Sequence, residues 1–270
     1  MCACSPRSAT DQFSVYAEPI PATAAELDPA VHVSTAALSA AAAASRVYLI
    51  GGSIPERAED GRLYNTAVAF GPDGAILARH RKMHLFDIDI PGRMTFRESA
   101  TLSAGSSLAT FATPWGVVGL GICYDLRFPY LAMLLRQAGA RLLVMPGAFN
   151  MTTGPAHWEL LLRARALDAQ AYVAGAAPAR DEAAAYRAYG HSTIVGPWGD
   201  VLATTDERAG TIYADLDMAR VEEVRAQIPV SRQARADVYT LELAGGGGGG
   251  GGASTADMLA REAPPPRSSA

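Results

Sequence analysis

Apolar and polar positions along the middle of the chain follow two spacings, one typical of strands and the other of helices. Short apolar runs closed by glycine or proline, VYLIGGS at 47–53 and RLLVMPG at 141–147, predict buried strands that lead into loops. PYLAMLLRQAGA at 129–140 begins with proline and has glycine near its end, as helices do. The same reasoning predicts helices at 33–45, 155–170 and 218–227, and strands at 171–177, 191–203 and 211–216.

Turn residues separate two pairs of predicted strands and indicate hairpins. The runs 64–70 and 75–82 flank the turn GPDG, and the runs 107–114 and 116–123 flank a shorter turn. Hairpins mixed with alternating strands and helices favour an α/β layered fold with mixed sheets. A simple parallel arrangement of the Rossmann type would not contain them.

Composition divides the chain into three parts. Residues 1–45 are rich in Ala, Ser and Pro, and only 33–45 has good helix propensity, so this segment is expected to be partly helical. Residues 46–243 have the pattern of a globular domain. Residues 244–270 contain eight consecutive glycines, which predicts a flexible tail without a catalytic role.

Charge and cysteine content limit the classes of partner and compartment. The chain has 270 residues, 49% of them hydrophobic, and a formal net charge of −4 without a basic face for nucleic acid. No apolar run reaches the roughly 18 residues that span a bilayer, and the N-terminus does not resemble a secretory signal. Three cysteines, including Cys2 and Cys4, form no disulfide framework. We expect a soluble intracellular protein, cytoplasmic in the first instance and mitochondrial in the second.

The third cysteine, Cys123, lies in GLGICYDLRFP, where an apolar strand run ends in an aromatic residue, an acid and an arginine. A single cysteine beside apolar residues is commonly a small buried hydrophobic group. Two features favour a nucleophile instead. Gly119 and Gly121 leave space around the backbone, and the Tyr124 N–H could point at a bound oxygen in the turn that follows.

A thiolate nucleophile needs partners, and RHRKMHLFD supplies candidates. His80 and His84 have the spacing of metal ligands on a helix, but the run follows a strand and no third ligand completes a site, so no metal is expected. Lys82 precedes an apolar pair and could be drawn inward, where its ammonium would act strongly; the alternative is an ordinary solvated lysine.

Several stretches together carry a pattern over most of the chain: LYNTAVAFGPDG, RHRKMHLFDIDIPG, FRES, LSAG, VGLGICYDLRFP and MPGAFNMTTGPAHWELLLRARALD. They resemble the carbon–nitrogen hydrolases of the nitrilase superfamily. IGGSIPE, PARDEAAAYRAYGHSTIVGPWG and RAQIPVSRQARADVY are similar to its omega-amidase branch. The resemblance spans about Arg46 to Tyr239 and implies a four-layer α-β-β-α sandwich with mixed sheets, here truncated at its N-terminus.

The resemblance also implies the roles of particular residues. Cys123 would be the nucleophile, Lys82 the catalytic lysine, and Glu98 in FRES the glutamate that supports the lysine. Lys82 and the Tyr124 N–H would hold the oxyanion of a tetrahedral intermediate. No cofactor is implied.

The family's general-base glutamate would align at about Met1, so this sequence is expected to lack it together with the first strand. Glu18 and Glu26 lie downstream in unpatterned sequence and are poor substitutes. Two explanations stand open: the protein continues upstream of the given start, or the chain is a shortened, impaired relative that serves in interactions.

The omega-amidase branch implies a 2-oxo acid amide such as 2-oxoglutaramate as substrate, with deaminated glutathione as the alternative. The substrate carboxylate is expected near Arg127, although a salt bridge of this arginine with Asp125 is an equal alternative. Trp158 is placed in the pocket or, as for most helix tryptophans, in the core. The other residues expected around the substrate are Phe149, Thr152 and Thr153. A homodimer is also implied.

Overall fold

The computed structural model describes residues 9–92 and 94–244. The helices are α1 (Ala9–Tyr16), α2 (Val33–Ser45), α3 (Pro129–Gln137), α4 (Gly154–Ala169), α5 (Met218–Gln227) and α6 (Val230–Gln233). The first strands are β1 (Leu49–Arg57), β2 (Leu63–Phe70), β3 (Ile76–Arg81), β4 (Asp87–Ile90), β5 (Met94–Arg97) and β6 (Thr110–Thr113). They are followed by β7 (Gly116–Leu120), β8 (Ala140–Val144), β9 (Tyr172–Gly175), β10 (Thr193–Val195) and β11 (Val201–Thr204).

The strands form two main sheets and one small hairpin. The first sheet has the order β1-β2-β3 and is antiparallel. The second has the order β11-β10-β9-β8-β7-β6; its central strands β7, β8 and β9 are parallel and the outer strands antiparallel. The remaining pair is β4-β5. Both hairpins predicted from turn residues, β2-β3 and β6-β7, are confirmed.

The two main sheets lie face to face between helices. Alternation along β2 directs Ala69 to the second sheet, where it packs near Leu120, and directs Phe70 to the opposite side, where Ala42 of α2 packs. On the far face of the second sheet, the largest core cluster joins residues of α3 and α4 to β8 and β9. This order of layers confirms the predicted α-β-β-α sandwich with mixed sheets.

Three local features differ from the sequence predictions. Residues 211–216, predicted as a strand, are alternately exposed and half-buried and pair with no strand of the described residues, so their alternation reflects a segment that lies along the surface. The hairpin β4-β5 was not predicted, although the Pro91-Gly92 turn between short alternating runs is a hairpin signal, and Gly92 has a φ of +72°. Helix α1 was also not predicted.

The proposed division into 1–45, 46–243 and 244–270 stays a prediction. The first segment is partly helical where it is described, and Glu18 forms a parallel bridge with Glu56 at the edge of β1. Residues 245–270, Cys2 and Cys4 lie outside the described residues. Within the described ranges, every helix is too short or too polar to cross a bilayer.

Candidate active site

Three side chains from distant parts of the sequence meet in one cavity. Lys82 directly follows β3, Glu98 directly follows β5, and Cys123 follows β7 after two residues. The strand ends therefore gather an ammonium, a carboxylate and a thiol. The other residues that line the cavity are Phe13, Asn65, Phe86, Phe96, Tyr124, Arg127, Ala148, Phe149, Asn150, Thr153 and Tyr186.

Lys82 and Glu98 form a buried ion pair. Lys82 is 2% exposed and Glu98 is 5% exposed, and the Lys82 ammonium donates to Oε2 of Glu98. The same oxygen accepts the Phe86 N–H over 2.6 Å. Burial alone would lower the pKa of Lys82, but the charges of Glu98 and Cys123 together with the hydrogen bond hold this pKa above its usual value. Lys82 is therefore an ammonium throughout the neutral range.

Cys123 lies at the start of a 3₁₀ turn, Cys123–Arg127, with a strained backbone. Its φ is +48°, in the left-handed region that is unfavourable for residues with a side chain. The Cys123 N–H donates to the Pro146 carbonyl over 2.8 Å, and its Sγ lies 3.7 Å from the Ala148 carbonyl oxygen. A Cβ on Gly147 would lie 2.8 Å from the Cys123 Cα, so the segment that follows β8 approaches the nucleophile closely only because Gly147 has no side chain.

Gly119 and Gly121 do not face Cys123, although space beside the nucleophile was predicted from them. A Cβ on Gly121 would lie 2.5 Å from Sδ of Met145, and one on Gly119 would crowd Leu135 and Leu143. These two glycines make room for core packing beneath the turn. Gly147 is the glycine that clears the space beside Cys123.

Asp125 ties the nucleophile turn to the loop that carries Lys82. Its Oδ2 lies 2.9 Å from Nε2 of His80 and accepts the Ile122 N–H over 2.9 Å. Its Oδ1 lies 2.8 Å from Nδ1 of His84 and accepts the His84 N–H over 3.0 Å. Both histidines considered as metal ligands are thus partners of one buried carboxylate. Among the described residues no cluster of three or more potential metal ligands occurs.

Although burial raises the pKa of Asp125, hydrogen bonds from His80 and His84 hold it well below its usual range. A carboxyl whose pKa is lower in the folded than in the unfolded protein stabilises the fold above pH ~4, and this stability is lost as the pH falls below that value. We expect Asp125→Asn to destabilise the protein at pH 7 by about 2–4 kcal/mol. The NH₂ group of the new asparagine would replace one carboxylate oxygen and face the backbone N–H that now donates to it. Urea denaturation at pH 7 and pH 3 measures both effects.

The matched control is Asp215→Asn, which removes an exposed carboxylate. We expect it to leave the urea midpoint unchanged at both pH values. The role of Asp125 is contradicted if Asp125→Asn loses no more stability than this control, or if the two variants lose stability in parallel as the pH falls.

Three of the five residues expected around the substrate line the cavity: Arg127, Phe149 and Thr153. The Arg127 guanidinium lies 4.8 Å from the centroid of the Phe149 ring, and its Nη1 is 3.2 Å from Nδ1 of His157. Burial lowers the pKa of Arg127, which stays a cation at neutral pH. The alternative salt bridge with Asp125 is wrong, because the oxygens of Asp125 are occupied by His80, His84 and two backbone N–H groups.

The structure does not bring Thr152 and Trp158 to the cavity. Thr152 is exposed, and its N–H donates to Oδ1 of Asn150 over 3.0 Å. Trp158 is 1% exposed; its indole N–H donates to the His191 carbonyl over 2.6 Å, and its ring packs against Phe149. It therefore supports a cavity wall from the core, which was the alternative predicted for a tryptophan on a helix.

Glu18 and Glu26 act at helix ends away from the cavity. Glu18 accepts the N–H groups of Ser34 and Thr35 at the start of α2, each over 2.9 Å. Glu26 accepts the Ala22 N–H over 3.0 Å. Neither lines the cavity, which agrees with their dismissal as general bases.

Sequence reasoning missed several residues of the cavity wall. Asn65 and Asn150 each interrupt apolar surroundings, and a polar residue within a buried strand is a signal that could have identified Asn65. Tyr186 arrives on a long loop and donates its hydroxyl to the Ala148 carbonyl over 2.5 Å. Phe13 belongs to α1, and no local pattern connects it with the site.

Comparisons with known proteins agree with this geometry. Residues 13–226 match the Carbon-nitrogen hydrolase family. The chain is 56% identical to the omega-amidase NIT2 of Mus musculus over 233 residues, which cover 86% of this chain and 80% of that protein. It is also 56% identical to the omega-amidase NIT2 of Homo sapiens over 231 residues, with the same shares covered.

The fold has a close counterpart among solved structures. Nit3 of Saccharomyces cerevisiae, described as a member of branch 10 of the nitrilase superfamily, superimposes with a TM-score of 0.74 at 42% identity. The match covers 84% of this chain and 78% of the yeast chain. Given the family match, the identity to these relatives and the shared fold, this chain belongs to the carbon–nitrogen hydrolase family of the nitrilase superfamily.

Proposed function

We propose that this carbon–nitrogen hydrolase cleaves the amide of a small 2-oxo dicarboxylic acid monoamide, such as 2-oxoglutaramate, and releases ammonia. The observation that carries the proposal is the meeting of Cys123 with the buried Lys82–Glu98 pair in one cavity. The omega-amidase name of the NIT2 relatives supports the substrate class.

The reaction begins when Sγ of Cys123 attacks the amide carbon. The carbonyl oxygen becomes an oxyanion, which the Lys82 ammonium stabilises together with the Tyr124 N–H. The first N–H groups of a helical turn have no partner within the turn, which suits Tyr124 for this role. One such donor typically contributes about 3 kcal/mol to the stability of the transition state.

The intermediate then collapses to a thioester. The carbon–nitrogen bond breaks, the proton of the thiol goes to the leaving nitrogen, and ammonia departs. Water attacks the thioester next, which gives the dicarboxylic acid and restores the thiol. Glu98 holds Lys82 in position; it is the one carboxylate among the described residues of the cavity, and its bonds to Lys82 and Phe86 make it an orienting group rather than the base.

The far end of the substrate carries a carboxylate, and Arg127 is the cation proposed to bind it. Its guanidinium is held over the Phe149 ring at the cavity wall, half-buried. A charged hydrogen bond in such surroundings is stronger than one in water. Thr153 contributes a hydroxyl to the same cavity.

Ammonia release tests the function and the role of Arg127 together. We expect the protein to hydrolyse 2-oxoglutaramate with a higher kcat/KM than deaminated glutathione or a neutral amide of the same length. Arg127→Met is expected to raise KM for 2-oxoglutaramate by roughly tenfold or more, because a charged hydrogen bond is lost, and to change the neutral amide by less than about threefold.

Three outcomes would contradict this assignment. If deaminated glutathione is the better substrate, the alternative activity replaces the one proposed. If Arg127→Met affects the charged and neutral amides equally, Arg127 does not bind the carboxylate. A folded protein that releases no ammonia from any of the three amides would be the catalytically impaired relative.

Three exposed apolar side chains support a further proposal, on assembly. Leu160 and Leu167 of α4 are 63% and 54% exposed, and Trp198, which precedes β11 in the sequence, is 48% exposed. Burial of such residues between two copies would stabilise a homodimer.

The cysteine content supports a proposal on the compartment. Few cysteines and no disulfide framework in the sequence favour the cytoplasm.

A further inference from the structure

Asn65 provides the cavity with a hydrogen-bond acceptor that no described group of the protein uses. Its side chain is 4% exposed and lines the cavity. Its Oδ1 has no hydrogen-bond partner within residues 9–92 and 94–244. Buried amide oxygens are nearly always paired in folded proteins, so an unpaired one at a cavity wall points to a donor that arrives with the ligand.

The register of the first sheet places this amide beside the catalytic cation. Thr66 lies opposite Arg81 in the antiparallel β2-β3 ladder. Asn65, which precedes Thr66, lies opposite Lys82, which follows Arg81, and the Lys82 N–H donates to the Asn65 carbonyl over 2.8 Å. Opposite residues of an antiparallel pair direct their side chains to the same face. Asn65 and Lys82 accordingly both line the cavity.

The other acceptors described above are already occupied. Oε2 of Glu98 accepts from Lys82 and Phe86, and the Ala148 carbonyl accepts from Tyr186. Oδ1 of Asn150 accepts from the N–H groups of Thr152 and Thr153. Asn65 differs from all three in that its side-chain oxygen is unpaired. It therefore remains available to a donor on the substrate.

A primary carboxamide has two polar ends that match this pair of side chains: an oxygen that accepts and an NH₂ group that donates. We propose that Oδ1 of Asn65 accepts a hydrogen bond from the carboxamide N–H of the substrate while Lys82 holds its carbonyl oxygen, so that Asn65 makes the site select amides over esters. The inference rests on the amide hydrolysis proposed above. An ester of the same acid has an alkoxy oxygen in place of the NH₂ group and would leave Oδ1 unpaired.

The test compares two substrates that differ at one group, 2-oxoglutaramate and the methyl ester of the same carboxyl. Asn65→Leu keeps the size of the side chain and removes the acceptor. We expect it to lower kcat/KM for the amide by roughly 10- to 100-fold, as for the loss of a hydrogen bond to a reacting group, and to lower that for the ester by less than about threefold. Asn65→Asp keeps the shape and an acceptor, and its ratio of amide to ester rates is expected to stay within about threefold of the wild-type ratio.

Each result decides the proposal. Equal losses for amide and ester in Asn65→Leu would show a structural role and overturn it. If Asn65→Leu does not fold, Asn65→Asp decides, because loss of the amide preference in a variant that retains an acceptor would also overturn it. A wild-type protein that hydrolyses no amide would defeat the proposed function together with this inference, whereas normal wild-type turnover with unchanged selectivity in the variants would defeat this inference alone.

Discussion

Cys123→Ala is expected to abolish ammonia release, with a fall in kcat of roughly 10⁴-fold or more, because no covalent intermediate can form without the thiol. The fold should persist, since the substitution removes one sulfur from a half-buried position. Turnover of 2-oxoglutaramate is measured together with a urea denaturation curve. The wild-type protein quenched in acid during turnover should also contain a protein mass increased by the acyl group, and this mass should be absent in Cys123→Ala.

Cys2 and Cys4 require a matched control, because alkylation of any cysteine would obscure the result. In a Cys2→Ser/Cys4→Ser background, one equivalent of iodoacetamide should react near neutral pH and inactivate the protein, since the Lys82 ammonium in the same cavity favours the thiolate. Full activity after Cys123→Ala, or after complete alkylation in this background, would disprove the covalent mechanism.

Lys82→Met should damage both stability and catalysis. Removal of the ammonium leaves the Glu98 carboxylate buried without its partner, which is expected to cost about 3–5 kcal/mol of unfolding free energy. Loss of the oxyanion donor should also lower kcat by roughly 100- to 1,000-fold. Urea denaturation and ammonia release measure the two losses separately.

The double variant Lys82→Met/Glu98→Gln distinguishes the two roles. The second substitution removes the buried charge and keeps an oxygen that can accept the Phe86 N–H, so most of the lost stability should return. Activity should not return, because the oxyanion still lacks its cation. Stability losses that simply add in the double variant would contradict the paired burial, and recovered turnover would contradict the catalytic role of Lys82.

Much of the fold could be predicted from local sequence signals. The GPDG turn and the proline at the start of α3 mark their elements correctly, because such residues act through their own backbone preferences. The incorrect strand at 211–216 shows the limit of these signals: an alternating pattern describes a surface-lying segment as well as a paired strand. Whether a strand forms depends on a neighbour that is distant in sequence.

The residues of the active site likewise include some that the sequence identified and some that it did not. Cys123 and Lys82 were candidates from local sequence features, the resemblance over long motifs added Glu98 and the roles of all three, and the structure brings them to one cavity. Asn65 and Tyr186 were missed because their importance comes from what they face. The strand register determines what Asn65 faces, and the path of a loop determines what Tyr186 faces. The polar Asn65 within a buried strand is a local signal of a special position, but it does not show what the side chain faces.

The left-handed backbone at Cys123 has a consequence for how this protein can change over generations. Glycine adopts such a backbone without strain, so exchange of the nucleophile for glycine would relieve the turn at the same time as it ended catalysis. Selection for fold stability and selection for catalytic activity thus act in opposite directions at position 123, and cysteine is retained there only while the activity is selected.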